Sequence, residues 1–223
     1  MVVSEVSHSV ESDEGDFMPT VADELLKHQY IYVPWNETEH TSDLGVGIAL
    51  HLQRQHRLPL TVVVSLKSNI PDELRKCDSV SERSGYADDG GVVLAYYPTY
   101  KVLEKIRHLS KSAVVMLEFP TESQEGWARL HGAYNVTTGE VIHAELTDGD
   151  RETLKQIVFE GYEGWHDDIA ERSTLRLLGD LDKATAYDRE LVLAFARETK
   201  SEQEIERLAK LLDRSEASHT ADR

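Results

Sequence analysis

Three apolar runs in this chain end in the same way, at an aromatic residue or valine followed by a proline and then by polar residues. The runs are short, β-branched and aromatic, which is typical of buried strands. Proline has no amide proton with which to continue a strand ladder, so each proline marks the end of a strand. The three endings are Val33-Pro34-Trp35-Asn36-Glu37, Tyr97-Pro98-Thr99 and Phe119-Pro120-Thr121-Glu122.

Helical patterns separate these strands, which is how parallel strands are connected in an α/β sheet. The sequence predicts strands at 29–33, 60–66, 92–97 and 113–119, with helices at 42–56 and 99–110. The run 60–66 is almost continuously apolar, as a strand buried on both faces must be. The predicted fold class is therefore α/β, with a three-layer, Rossmann-like, mainly parallel sheet.

After residue 125 the pattern changes. Segments 128–134 and 140–145 flank Val136-Thr137-Thr138-Gly139, where glycine can adopt the positive φ of a tight turn, so we expect an antiparallel hairpin at the sheet edge. From residue 148 the apolar spacing is helical. The predicted organisation is a disordered acidic tail over 1–20, a sheet domain over 21–147, a helical extension packed on it over 148–214, and a polar tail over 215–223.

The charge of the chain argues against nucleic-acid binding. It has 41 acidic and 24 basic residues and a net charge of −17, a field that repels phosphate backbones. Residues 1–20 contribute five acidic side chains and no Lys or Arg. A solvated tail is the simpler interpretation of that segment, and an interaction arm is the alternative.

Cysteine usage and hydropathy indicate the compartment. Cys77 is the single cysteine, so no intramolecular disulfide can form, and a reducing, cytoplasmic location is expected. No stretch approaches the roughly 18 apolar residues of a membrane span, and the amino terminus lacks the pattern of a signal peptide. We expect a soluble protein that does not interact with membranes.

Ligands of open α/β sheets bind at the carboxyl ends of the strands, so the three proline-ended strands define the predicted site. Its ligand-binding candidates are Trp35, Asn36, Glu37, Tyr97, Thr99 and Glu118. Thr99 is the predicted N-cap of helix 99–110, beside free amides and the positive end of the helix dipole, where a phosphate or carboxylate can bind. Because Glu37 and Glu118 oppose an anion there, the expected ligand is either a Mg²⁺-assisted phosphorylated metabolite or an amino-group-bearing one.

Familiar motifs of other α/β proteins are absent. The turn after the first strand has no glycine, so classical dinucleotide binding is not expected, and neither GxxxxGK[ST] nor GxSxG occurs. His51 and His56 are five residues apart, and His131 and His143 are predicted on opposite faces of the hairpin. Surface histidines are therefore favoured over a metal centre.

The segment 79–91 is rich in Ser, Gly and Asp and is the longest predicted internal loop. Long loops in compact domains are often lids, so this loop is a candidate cover for the site, and an insertion without a special role is the alternative.

Two functions remain open. The first is a small-metabolite site at the strand ends, with a role in either binding or enzymatic conversion. The second is a non-catalytic interaction or oligomeric scaffold that uses the acidic surface and the carboxyl-terminal helices. For the second, Ile205, Leu208 and Leu212 repeat at helical spacing and can either pack in the core or form a homodimer stripe.

Overall fold

The computed structural model describes residues 23–37, 40–183 and 187–221. Strands in these ranges form one seven-stranded sheet with the order β3-β2-β4-β5-β1-β6-β7. All neighbouring strands are parallel except the last pair, β6 and β7. This confirms the mainly parallel sheet with an antiparallel edge hairpin. The strands are β1 (Tyr30–Val33), β2 (Leu60–Val63), β3 (Asp78–Val80), β4 (Val92–Ala95), β5 (Ala113–Leu117), β6 (Tyr134–Asn135) and β7 (Glu140–Val141).

Helix α1 (Thr41–His56) covers one face of the sheet. Ile31, Val62 and Leu94 belong to the same apolar cluster as Ala49 and Leu52 of this helix, and all five are completely or almost completely buried. These strand residues alternate with neighbours that belong to the opposite face, as the two-residue period of a strand requires. Because both faces of these strands are buried, their sequences consist of consecutive apolar residues.

The opposite face is covered by two segments that follow β4 and β5. Short helix α2 (Tyr100–Leu103) continues as turns to Leu109, and α3 is Glu125–His131. Val63, Val93 and Met116 form a second apolar cluster with side chains of these segments, including Ile106 and Ala128. The sheet is therefore the middle of three layers.

The carboxyl-terminal third is helical and has its own apolar cluster. It packs on the sheet layer mainly through α3 and α6, where a Cβ on Gly126 would lie 2.5 Å from the carbonyl oxygen of Glu190. Arg129 of α3 also forms an ion pair with Asp188 at the start of α6. The helices are α4 (Asp148–Glu160), α5 (Asp168–Lys183), α6 (Arg189–Arg197) and α7 (Glu202–Ala221). Short 3₁₀ helices occupy Lys67–Asn69, Asp72–Leu74 and Gly161–Glu163.

Several predicted elements differ from the observed ones. Segment 128–134, predicted as a strand, is helical through His131, and the hairpin begins only at Tyr134. Its turn contains the expected positive φ, which is 70° at Gly139. The predicted helix 99–110 is only one turn of α-helix, because the Lys105 carbonyl accepts from the Ala87 amide at 3.1 Å and the following turns use i to i−3 bonds. Strand β3 lies in a segment predicted as loop.

At the carboxyl terminus, α7 extends to Ala221, beyond Ser215, where the polar tail was predicted to begin. Ile205, Leu208 and Leu212 are 1%, 0% and 0% exposed within the chain, so they form core rather than an exposed stripe. The predicted acidic tail 1–20 lies outside the described residues. No helix in the described part of the chain combines the length and apolar character needed to cross a membrane.

Candidate functional site

The three proline-ended strands meet through an aromatic cluster centred on Tyr97. The Tyr97 ring centroid lies 6.1 Å from that of Trp35, 4.7 Å from Tyr96 and 6.4 Å from Phe119, all in edge-on geometry. Edge-on pairs are the preferred arrangement of aromatic rings. The loops after β1, β4 and β5 therefore converge, as the sequence predicts, and aromatic side chains occupy the place where they meet.

Tyr97 has an unusual backbone, with φ at +46°. A tyrosine at positive φ is strained unless its surroundings hold it, and such residues occur often at functional sites. Here the ring packs in the aromatic cluster, and the hydroxyl lies 3.2 Å from the hydroxyl oxygen of Thr41 at the start of α1. The turn also ends β4 at Ala95, before the predicted strand end.

Glu118 joins the loops after β1 and β5. Its Oε2 accepts from the Trp35 amide at 2.9 Å, and its Oε1 accepts from the Ser123 hydroxyl at 2.9 Å and the Gln124 amide at 3.0 Å. Burial, together with a hydrogen bond to Glu118, raises the pKa of Tyr32. The Glu118 carboxylate thus positions two loops, and its oxygens are already engaged by donors of the chain.

The strand order has its switch point between β2 and β4, which is where open α/β sheets have their ligand crevice. The chain leaves β2 toward β3 on one side and leaves β4 toward β5 on the other, and ligands of open α/β sheets bind where connections diverge in this way. Ser65 and Thr99 face each other across this point, with the Ser65 hydroxyl donating to Thr99 Oγ1 at 3.2 Å. The Thr99 hydroxyl donates in turn to Glu82 Oε1 at 3.0 Å.

Thr99 is the N-cap of α2, but its environment differs from the predicted anion site. Its side chain makes no capping hydrogen bond, and the helix has only four residues. Its own amide donates to Ser65 Oγ at 3.2 Å. A phosphate at this position would meet an occupied amide and the neighbouring Glu82 carboxylate, so the local electrostatics disfavour an anion.

Loop 79–91 reaches this crevice through Glu82. Further along, the Asp89 carboxylate fixes the loop by accepting from the Ser110 and Lys111 amides at 3.2 and 2.9 Å and from the Ser112 hydroxyl at 2.9 Å. These bonds, the one from Lys111 most of all, lower the pKa of Asp89. Hydrogen bonds of Glu82 and Asp89 thus fix the loop near its start and near its end, and the Glu82 carboxylate lies beside Thr99.

Large apolar side chains are exposed at the same edge of the sheet. Trp35 is 38% exposed, Leu44 in the first turn of α1 is 45% exposed, and Leu66 after β2 is 59% exposed. Asn36 is half-buried and Glu37 exposed beside Trp35. Exposed apolar surface rimmed by polar groups is typical of binding sites.

The Glu118 carboxylate is not placed to bind Mg²⁺. Mg²⁺ requires carboxylate oxygens free to enter an octahedral shell, whereas the oxygens of Glu118 accept from the chain's own donors. Within residues 23–37, 40–183 and 187–221, no group of three His, Cys, Asp or Glu side chains is placed to hold a metal ion.

Two concave pockets lie on the helical side of the molecule. One lies between segment 100–107, α3, α6 and the start of α7 and contains the side chain of Arg197. The other is a more open, largely apolar groove that includes Leu130, Val158 and Phe195. Neither coincides with the strand-end crevice.

Sequence reasoning missed Ser65, Glu82 and Arg197. Ser65 lies two residues after the end of β2, within the run 60–66 that is predicted as strand. A polar residue near the end of an apolar strand was an available signal, because such residues lie close to the carboxyl edge. Glu82 and Arg197 had no such signal, since their positions depend on how a loop and a helix fold back onto the sheet.

Comparisons with known proteins assign the chain to no family. No protein-family model matches the chain, and neither a curated protein nor a solved structure shows significant similarity to it.

Proposed function

We propose that this protein binds a small metabolite bearing an amino group at the carboxyl ends of its parallel strands, in the crevice between β2 and β4. The observation that carries the proposal is the chain of Ser65, Thr99 and Glu82 at the point where the strand connections diverge. Glu82 is exposed and uses Oε1 for Thr99, which leaves its Oε2 to accept from an ammonium group.

The aromatic neighbours favour the same ligand class. Tyr97 follows β4, and the Trp35 ring centroid lies 6.1 Å from that of Tyr97 at the same edge of the sheet. A cation placed over such an aromatic face gains about 0.5–2 kcal/mol. Glu37 and Glu82 supply negative charge on the same edge. An amine is therefore favoured over a phosphorylated metabolite, which would meet carboxylates and an amide already bonded to Ser65.

The test is a thermal-shift and calorimetric comparison of primary amines without a carboxylate, such as putrescine, ethanolamine and glucosamine, against sugar phosphates. The amines should raise the Tm, whereas the phosphates should not. Glu82→Gln should weaken amine binding by about tenfold or more, because a charge-assisted hydrogen bond is lost.

Glu140→Gln is the matched control, since Glu140 is an exposed carboxylate on β7 at the far edge of the sheet. Amine binding that is unchanged in Glu82→Gln, or equally reduced in Glu140→Gln, would show that the ligand binds elsewhere. Stronger binding of sugar phosphates than of amines would contradict the proposed ligand class.

A second candidate function is self-association through the helical extension. Phe159, Tyr162 and Ile169 are 74%, 81% and 72% exposed on the segment from the end of α4 to the first turn of α5. Large apolar side chains grouped in this way mark interaction surfaces. Sedimentation over a concentration series should then show a dimer that the double substitution Phe159→Ser and Tyr162→Ser dissociates, and a wild-type monomer throughout would remove this candidate.

A further inference from the structure

A cavity bordered by several charged side chains lies at the junction between the helical extension and the layer that covers the sheet. Tyr100 and Arg107 border it from the segment after β4, Gly126 from α3, Arg197 from α6, and Lys200 and Glu202 from the connection into α7. It lies outside the crevice between β2 and β4 and shares neither Ser65 nor Glu82 with it. A ligand here would bind independently of the strand-end ligand.

The guanidinium of Arg197 is incompletely satisfied in this cavity. Its Nε and Nη1 are buried without a hydrogen-bond acceptor. Its ion-pair partner Glu202 has Oε2 3.9 Å from Nε, which is beyond hydrogen-bond distance. The guanidinium lies over the Tyr100 ring, 3.1 Å from its centroid, so its plane is fixed. A buried cation with unused donors is costly, and an oxyanion would supply the missing acceptors.

Carboxylates of the same cavity are also poorly compensated. Glu190 and Glu202 both border it, and burial raises the pKa of Glu202. Two further acids at the cavity have partners, because Glu104 lies 3.5 Å from Arg107 and Glu198 lies 3.3 Å from His131. Arg197, Glu190 and Glu202 therefore share one cavity, which Lys101 and Lys200 also border, and the ion pair of Arg197 with Glu202 is not a hydrogen bond.

The cavity is small, with a volume of about 40 Å³. A water molecule requires about 10–15 Å³ on this measure, so the space suits a few waters or one compact ligand. A nucleotide or sugar is too large without movement of the surrounding helices.

We propose that this cavity binds a compact zwitterion, an ammonium carboxylate of the size of glycine, with its carboxylate at Arg197 and its ammonium at Glu202 and Glu190. A simple anion would leave the two glutamates uncompensated and would be repelled by them. A simple cation would leave the donors of Arg197 unused. A zwitterion offers both missing partners and adds no net charge to the cavity.

The experiment compares glycine with its two halves, acetate and methylammonium, at equal millimolar concentrations with the full chain. Saturation-transfer proton NMR detects each ligand through its own methylene or methyl protons. We expect glycine to bind at least about tenfold more tightly than either half, since both charges contribute only in the zwitterion. Inorganic phosphate, the fourth probe, has no carbon-bound protons, so its binding is measured by how much of the glycine signal it removes in competition. It should displace glycine no better than acetate does.

Two variants locate the site. Glu202→Gln and Arg197→Lys should each weaken glycine binding by about tenfold or more. Their matched controls are Glu152→Gln, an exposed glutamate on α4, and Arg176→Lys, an exposed arginine on α5. Both controls should leave glycine binding unchanged. If Arg197→Lys fails to fold, Glu202→Gln alone decides the location.

Three results would overturn the inference. The first is the absence of glycine saturation transfer in the wild-type chain. The second is binding of acetate or phosphate as tight as that of glycine, which would indicate a simple anion site. The third is glycine binding that persists unchanged in Glu202→Gln, which would place the ligand elsewhere.

Discussion

At the scale of single residues, carboxylates join neighbouring loops by accepting several hydrogen bonds at once. Glu118 holds the loops after β1 and β5 through three hydrogen bonds, and Asp89 holds loop 79–91 against the turn at 110–112. A carboxylate is suited to this role because it accepts several bonds and donates none. In such positions an amide is not an equivalent replacement.

Glu118→Gln should therefore destabilise the protein by about 1–3 kcal/mol, because the amide keeps one acceptor oxygen and turns its NH₂ group toward a donor. Urea unfolding followed by tryptophan fluorescence measures the change, and Glu140→Gln is the exposed control. A stability equal to that of the wild type would show that Glu118 is not needed to hold the loops.

Asp89→Asn should lower the midpoint of urea unfolding at neutral pH, and the loss should depend on pH. The hydrogen bonds that lower the pKa of Asp89 stabilise the charged form of the folded protein. That contribution should be complete above about pH 5 and should be lost as the pH falls below the ordinary value of 3.8. The wild-type and variant midpoints should thus converge in acid. Asp88→Asn, a substitution at an exposed neighbour, should match the wild type at neutral pH.

At the scale of elements, local packing decides which glycines are required. Gly126 allows α3 and α6 to approach closely, because a Cβ there would meet the Glu190 carbonyl oxygen at 2.5 Å. Gly47 in α1 has no atom within 4 Å of the same position. The two helical glycines therefore have opposite expected effects when replaced.

Gly126→Ala should destabilise the protein by about 1–3 kcal/mol through overpacking. Gly47→Ala should instead stabilise it by up to about 1 kcal/mol, because alanine has the higher helix propensity. Urea denaturation of both variants tests the pair. If both substitutions changed the free energy of unfolding equally and in the same direction, α3 and α6 would not be in close contact at Gly126.

The elements that sequence predicts well are those with strong local patterns. The four central strands were predicted because each is a short, β-branched run that is buried on both faces. A run of this length is too short for a buried helix, so a strand is the favoured assignment. Strand β3 was missed because it has three residues, two of them polar. The strand predicted at 128–134 was wrong because Trp127 to His131 continues a helix that begins at Glu125 and packs on α6. Tertiary contact outweighed the local pattern there.

For the candidate site, sequence predicted the convergence of the loops but not their contacts. Convergence follows from parallel strands that end at one edge, which explains the meeting of Trp35, Tyr97 and Phe119. The engagement of Glu118 by backbone amides and the contact of Thr99 with Glu82 depend on loop conformation. Loop conformation is set by bonds between residues far apart in the sequence, and these leave no periodic signal.

At the scale of the whole molecule, the sheet layers and the helical extension have separate apolar clusters but a close junction. The junction combines the packing at Gly126, the ion pair of Arg129 with Asp188, and the Arg107 side chain, which donates to the Arg197 carbonyl oxygen at 3.4 Å. The partly buried ion pair and the close backbone contact are lost together when this interface opens. Such a junction favours one cooperative unit over two that unfold independently.

Leu208→Ala tests this coupling, because Leu208 is completely buried in the cluster of the helical extension. The substitution should cost about 2–5 kcal/mol. If the chain unfolds as one unit, hydrogen exchange measured by mass spectrometry should accelerate in peptides from β4 by the same factor as in peptides from α7, since both then exchange through the same global opening. Acceleration confined to α4–α7, with β4 unchanged, would show that the helical extension opens separately. In that case the cavity at Arg197 would lie at a junction that opens without unfolding of the sheet.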